Sequence, residues 1–324
     1  MYQEFYGFRE LPFEITPNPK YLFLPPQHRE ALSTLQYGLS SSKAITVLIG
    51  EAGMGKTTLL NAAFKSDRCR NVSCVYVRNP TLTRDEFVEM LARRFGLSAE
   101  AMTSKTALLE ELERTLLEGR TKGQVTALVV DEAQSLSVEL LEEIRLLANC
   151  ETATEKLLPV VLAGQPELRD RLNETALRQL KQRVTLRCEL RPFTLVETSE
   201  YIANRVRIAS GSPGDTFTKE AVIMIHDRSG GIPRTINVIC DNALLTGFAL
   251  GRRPVDRATV TEVTGDLHLG SGEPVEPAKV EQTDEPKSNL RETPAPGVVE
   301  DLPAQDDQPT PEPRRRLFSA FRGR

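Results

Sequence analysis

The chain has 324 residues, 40% of them hydrophobic and 27% charged, with a formal net charge of -4. That length and apolar content support one large core or two modest ones in a soluble protein, and the negative balance argues against nucleic-acid binding through bulk basicity. Nucleic acid is therefore not the expected partner.

The opening segment, MYQEFYGFRELPF, has no basic region followed by an apolar run, and no stretch of the sequence approaches the roughly 20 apolar residues of a bilayer helix. The expected location is the cytoplasm, with no transmembrane segment. Seven of the eighteen aromatic residues fall before residue 24. Cys69, Cys74, Cys150, Cys188 and Cys240 are scattered, odd in number and never in a CxxC pair, as befits reduced structural thiols.

The first apolar run, AITVLI (44–49), predicts a buried strand. It leads directly into Gly50, Glu51, Ala52, Gly53, Met54, Gly55, Lys56, Thr57 and Thr58, followed by the helical pattern LLNAAF. This strand, glycine loop and helix order is what phosphate binding requires. Glycines let backbone N–H groups turn inward around a β-phosphate, and the helix N-terminus adds partial positive charge. Lys56 is placed to bridge β- and γ-oxygens, and the Thr57 hydroxyl to ligate Mg2+.

Further strands are predicted at CVYVR (74–78), VTALVV (125–130), LPVVLA (158–163) and VTLRCEL (184–190). Between them TRDEFVEMLARRFG, KTALLEELERTLLEG and SVELLEEIRLLAN carry apolar residues at three- and four-residue spacing and predict amphipathic helices. The alternation implies a parallel sheet covered by helices. VTALVV ends in Asp131 and Glu132, where a strand beside the glycine-loop strand would offer Asp131 to the Mg2+ shell and Glu132 to the attacking water. An acidic N-cap explains one carboxylate on a loop but not its place at the end of so apolar a strand. No Asn-Lys-x-Asp stretch occurs, which favours adenine, and hence ATP, over guanine.

After Pro192 the patterns are helical only, through VETSEYIANRVRIAS, KEAVIMIHDRS, IPRTINVICDNALLTGFAL and DRATVTEVTGDL, and predict a small helical domain. From His268 to Pro313 the chain holds nine prolines and eleven acidic residues against three basic ones, a composition of disorder. Its last eleven residues, RRRLFSAFRGR (Arg314–Arg324), carry five arginines around Leu317, Phe318 and Phe321. They read either as a solvated terminus or as a docking peptide for a protein partner or an anionic lipid surface.

Together the glycine loop and the Asp131–Glu132 strand end resemble the AAA+ ATPases. The resemblance implies three further roles. Gln165, after LPVVLA-Gly164, would be the sensor-1 polar residue at the γ-phosphate or its water. Arg183, closing LRQLKQR just before a strand, is similar to the arginine finger offered to a neighbouring subunit, with Arg178 as the alternative. Arg234, in Gly230-Gly231-Ile232-Pro233-Arg234, looks like sensor 2. Arginines at helix ends also simply complement the helix dipole.

The N-terminal YGFRELPFEITPNPKYLFLPPQHREALSTLQYGL, with GEAGMGKTT, DEAQ, AGQPEL and GGIPRTIN, looks like the general secretion pathway protein A (ExeA-like) family over residues 1 to 267. In that family the leading segment walls the adenine, which nominates Leu11, Pro12 and Phe13; core packing accounts for these residues equally well. Longer members continue into a membrane helix and a wall-binding domain, neither of which this sequence contains, so direct peptidoglycan work is not expected.

The sequence thus predicts an α/β P-loop NTPase of AAA+ type. A parallel sheet flanked by helices spans 1–191, with an adenine-side segment at 1–43. A small all-helical lid follows at 192–267, then a disordered tail at 268–324. The implied activity is Mg-dependent ATP hydrolysis by a homo-oligomer serving a bacterial secretion, pilus or exopolysaccharide system. An ATP-gated DNA-binding switch of the transposition target-selection type and a low-turnover ATP-binding scaffold are the rivals.

Overall fold

The computed structural model describes residues 1–267 apart from 17, 42, 79–81 and 211–214. The predicted tail and its basic end, Arg314–Arg324, lie outside the described residues. In chain order the elements are α1 (Tyr2–Tyr6), α2 (Pro26–Ser40), β1 (Ile45–Gly50), α3 (Lys56–Phe64), β2 (Val72–Val77), α4 (Arg84–Phe95), α5 (Ala99–Thr103), α6 (Lys105–Thr121) and β3 (Val125–Val130). They continue with α7 (Val138–Leu147), β4 (Val160–Gly164), α8 (Pro166–Arg171), α9 (Arg178–Arg183), β5 (Val184–Leu190), α10 (Leu195–Ser210), α11 (Lys219–Ser229), α12 (Pro233–Ala249) and α13 (Arg257–Asp266).

The five strands form one parallel sheet in the order β2-β3-β4-β1-β5. Because strand side chains alternate between faces, an apolar run in the middle of such a sheet fills two cores at once. Ile45, Val47, Ile49, Leu128, Val130, Val160 and Leu162 join one cluster with Phe87, Leu91, Leu112, Leu140 and Ile144 from α4, α6 and α7. Leu48, Ala127, Val129, Val161 and Ala163 join the other with Leu35, Leu39, Leu59 and Leu60 from α2 and α3. The edge strand β5 has only one face to bury, so Cys188 and Leu190 are inside while Thr185, Arg187 and Glu189 are exposed. Helix starts follow local chemistry: Thr83 and Glu86 form a reciprocal capping box on α4, while Ser137 and Thr218 cap α7 and α11.

Helices α10 to α13 build a third core from Ile202, Val206, Ile225, Ile236, Ile239, Leu244 and Val260. Tyr2, Tyr6, Phe8 and Phe13 bury in that same core, and the Tyr6 hydroxyl donates to the Arg252 carbonyl. The N-terminal segment therefore divides. Residues 2–13 pack with the helical group, whereas α2 packs on the sheet. The assignment of all of 1–43 to the sheet domain is corrected accordingly: Tyr2, Tyr6, Phe8 and Phe13 bury their large apolar rings with the residues of α10 to α13 and not against the sheet. Among the described residues, no helix is long and apolar enough to cross a membrane.

Candidate functional site

β1 carries its last residue, Gly50, to the carboxyl edge of the sheet, where the chain turns through Glu51–Gly55 into α3. Gly53 and Gly55 both adopt left-handed backbone, φ 82° and 86°. Gly53 also approaches the helical group closely, since the Arg234 N–H donates to its carbonyl at 3.2 Å. Lys56 is buried at the first turn of α3, and its ammonium donates to the carbonyls of Gly50 at 2.7 Å and Glu51 at 3.1 Å. Burial pulls its pKa down, opposed by the charges of Glu132, Asp131, Glu51 and Glu167.

The strand beside β2 and β4, β3, delivers Asp131 to the same edge. The Thr57 hydroxyl donates to Asp131 Oδ2 at 2.9 Å, and so does the Tyr76 hydroxyl, from β2, at 2.7 Å. Burial and the Asp131 carboxylate together push the Tyr76 phenol well above its ordinary range. A hydroxyl and one carboxylate that already converge are the hard oxygen set with which proteins hold Mg2+ on a nucleotide, its other positions being left to phosphate and water. Thr57 and Asp131 thus fit the ion, and no cluster of three His, Cys, Asp or Glu side chains suited to a heavier metal occurs among the described residues.

Glu132 is exposed and has φ 54°, the one non-glycine residue with positive φ among the described residues. Such a conformation costs about 1–2 kcal/mol for a residue with a Cβ, and strain of this kind persists where surrounding contacts impose it. Those contacts are visible. Gln134 Nε2 donates to Glu132 Oε2 at 2.7 Å, Gln165 Nε2 donates to the same oxygen at 3.3 Å, and the Glu132 N–H donates to Asp131 Oδ1 at 3.1 Å.

From this edge a cavity of about 330 Å³ runs away from the sheet, a volume within the range of small-molecule sites. One end is the glycine loop with Lys56, Thr57, Glu132 and Arg234. The other is walled by Ile15, Tyr21, Phe23, His28, Phe193, Tyr201, Arg205 and Asn237. Arg205 lies over the rings of Tyr21 and Tyr201, 4.9 and 5.0 Å from their centroids, and donates to the Pro12 carbonyl at 2.7 Å. Tyr201 donates to Asn237 Oδ1 at 2.9 Å. His28 is 5% exposed, against Phe193, and burial lowers its pKa.

The structure brings together the glycine loop, Asp131, Glu132, Gln165 and Arg234. Pro12 and Phe13 are not in the cavity wall, which corrects their nomination: Phe13 is 1% exposed and packs edge-on against Phe217 in the helical core, and Pro12 contributes a carbonyl to Arg205. Leu11 is also absent from that wall. Arg183 stands just before Val184, opposite Ile45, whereas Leu190 stands opposite Gly50. At about 3.3 Å per residue the Arg183 backbone is roughly 20 Å along the sheet from its own glycine loop. Arg178 is exposed at the start of the same helix.

Sequence reasoning missed Tyr76, Gln134, His28, Phe193, Tyr201 and Arg205. Tyr76 and Gln134 had a signal: both lie in stretches already marked, CVYVR and DEAQ.

Residues 39–172 match the family described as AAA domain. The chain is 39% identical over 273 residues to general secretion pathway protein A of Aeromonas hydrophila, a match that covers 84% of this chain and 48% of that protein. It therefore spans about half the length of that relative. Two solved structures share its fold. Cdc6p of Pyrobaculum aerophilum has a TM-score of 0.58 at 16% identity, covering 79% of this chain and 70% of that one. ORC1 of Aeropyrum pernix, in complex with DNA, has a TM-score of 0.58 at 18% identity, covering 80% and 70%.

Proposed function

The chain belongs to the AAA+ family of P-loop NTPases and is ExeA-like, and from that premise we propose that it binds MgATP and hydrolyses it. The observation that carries this reading is the convergence of Lys56, Thr57, Asp131 and Glu132 on one sheet edge, with Asp131 already hydrogen-bonded to Thr57.

In this reading the backbone N–H groups of Gly53–Thr57 cradle the β-phosphate. Lys56 exchanges its two carbonyl partners for β- and γ-oxygens, a low-cost exchange because burial has already stripped the ammonium of water. Thr57 and Asp131 hold Mg2+, whose chemistry there is to neutralise charge developing on the phosphate oxygens. Glu132 accepts a proton from water as the water oxygen bonds to the γ-phosphorus. The bond from that phosphorus to the β–γ bridging oxygen breaks, and ADP leaves with the electron pair. Gln165 and Arg234 attend the γ-phosphate. The base enters the aromatic end of the cavity, between Tyr21, Phe23, His28 and Phe193. Arg183, remote from its own loop, serves a neighbour's site in a homo-oligomer, where such a finger is worth about 10³–10⁵ in turnover.

The cellular role follows the family: a cytoplasmic ATPase for a secretion, pilus or exopolysaccharide machine, recruited through Arg314–Arg324. The test is steady-state Mg-ATPase activity against protein concentration for wild type and Glu132→Gln. Turnover per subunit should rise with concentration and fall about 10²–10⁴-fold in the variant, while ATP binding persists. A wild type that binds ATP and does not turn over at any concentration refutes hydrolysis, and a flat rate per subunit refutes the finger in trans.

A further inference from the structure

Glu132 has two unusual attributes for a group meant to take a proton from water: it is solvent-exposed, and its backbone is left-handed. A free carboxylate on an exposed turn samples several rotamers, few of them aimed at a γ-phosphate. Something must select one. Gln134, two residues on in the short helical turn Ala133–Ser135, makes the shorter of the two side-chain bonds to Glu132, 2.7 Å against 3.3 Å from Gln165.

The orientation of the Gln134 amide is fixed by its far end. Gln134 Oε1 accepts the backbone N–H of Gln165 at 3.1 Å, and a backbone N–H is only a donor. The amide carbonyl must therefore face Gln165, and the NH2 group must face Glu132. The amide is held at both ends, between the turn after β3 and the turn after β4.

Two further features hold it in place. At Gly164, the residue before Gln165, a Cβ would stand 2.8 Å from Gln134 Oε1, so the side chain passes through space that only a glycine leaves open. Arg171 Nη1, from α8, donates to the Gln134 carbonyl at 2.5 Å and also to the Leu136 carbonyl. The turn that carries Gln134 is thereby tied to the helix that follows Gln165.

We propose that Gln134 is a positioning residue for ATP hydrolysis, holding the Glu132 carboxylate by Oε2 so that Oε1 is left for the attacking water, and linking that carboxylate to the Gln165 turn. The proposal rests on the hydrolytic reading of the site. It carries a consequence beyond it: displacement of the Gln165 turn by a γ-phosphate moves the N–H donor that holds the Gln134 amide and so re-aims Glu132, which couples detection of the γ-phosphate to activation of water.

The test uses the full chain with Gln134→Glu and Gln134→Met. Gln134→Glu preserves size and an acceptor for the Gln165 N–H but removes the donor to Glu132. Gln134→Met preserves length and removes both. Each should lower kcat about 10- to 100-fold, the scale of a misaligned catalytic group, while KM for ATP, the ATP dissociation constant and Tm stay near wild type. In a Glu132→Gln background, Gln134→Met should lower the residual rate no further, because the group it positions is no longer a base. Unchanged kcat in both variants, or equal loss of kcat with and without Glu132, overturns the positioning role alone. A wild type without turnover overturns the hydrolytic reading and the positioning role together.

Discussion

Gly53 is where the glycine loop touches the helical group, and alanine there probes that junction. Two costs arise. The left-handed backbone, φ 82°, costs about 1–2 kcal/mol once a Cβ is present. The new methyl would also stand 2.7 Å from Arg234 Cβ and 3.2 Å from Ile232 Cγ2. Arg234 Cβ belongs to the stem of its side chain, so relief requires the start of α12 to move, an overpacking cost of about 1–3 kcal/mol. Gly55 is the internal control, with φ 86° and nothing within 4 Å of its added Cβ. Alanine at Gly55 should therefore lose about 1–2 kcal/mol, and alanine at Gly53 about 2–5 kcal/mol. At about 2 °C per kcal/mol for a chain of this length, the thermal midpoints fall by about 2–4 °C and 4–10 °C. The measurement is calorimetry without nucleotide, because a bound ligand would add its own stabilisation to the folded chain. A cycle with Arg234→Gly, which removes the atom struck, should recover part of the excess. Equal losses at Gly53 and Gly55, or strict additivity with Arg234→Gly, would refute the claimed contact between loop and helical group.

Two other perturbations follow from the same geometry. Tyr76→Phe removes one of the two hydroxyls on Asp131 Oδ2; hydrogen bonds to a charged group are worth about 1.5–3 kcal/mol, so the unfolding free energy from urea titration should fall by that amount and the Mg2+ concentration for half-maximal turnover should rise, with an unchanged Mg2+ requirement counting against the contact. His28 titrates below its ordinary value of 6.5 when folded, first because burial disfavours the cation, against the opposing influence of the Met54 backbone and the Glu197 charge. The unfolded chain therefore takes up the proton first, and wild type loses stability as pH falls below about 6.5 towards the lower folded value. His28→Gln has no such proton to take up, so its deficit against wild type should shrink between pH 7.5 and pH 5.5, and a constant deficit would show that His28 does not titrate as its burial demands.

The sheet was legible because its strands are buried on both faces. ITVLIG, VTALVV and VVLAG are apolar without alternation, as only a strand with a core on each side can be, and VTLRCEL alternates because it is an edge. The chemistry at strand ends was legible for a related reason: phosphate binding constrains consecutive residues, so Gly50–Thr58 and Asp131–Glu132 carry their own spacing. The cavity's far wall was not. Tyr201 and Arg205 from α10, Asn237 from α12 and Phe193 just before α10 reach the cavity only through the packing of the helical group, and nothing local distinguishes them from helical core. The aromatic excess before residue 24 was noticed, yet which rings face the cavity depends on partners some two hundred positions away. Phe13 meets Phe217, whereas Phe23 meets Phe193 and Tyr201. Tyr76 reads as one more apolar strand residue until the register sets it opposite Val129, two positions before Asp131.

The two kinds of wall have different mechanical consequences. The phosphate end rests on the rigid edge of a central strand, with β1 held between β4 and β5. The aromatic end belongs to two bodies of packing at once: His28 lies on α2, which packs on the sheet, while Phe193, Tyr201 and the N-terminal aromatics belong to the helical core. A nucleotide filling both ends, as proposed above, would touch the helical group and the sheet at once and add to the contacts that already join them. The Arg234 N–H donating to the Gly53 carbonyl is such a joint. Since a ligand that binds only the folded chain stabilises it by about 2.7 kcal/mol at one hundred times its dissociation constant, that stabilisation falls on the same seam that alanine at Gly53 weakens. In the proposed reading, nucleotide occupancy and the packing of the helical group against the glycine loop are coupled, and Gly53 is the residue where the two share a hydrogen bond.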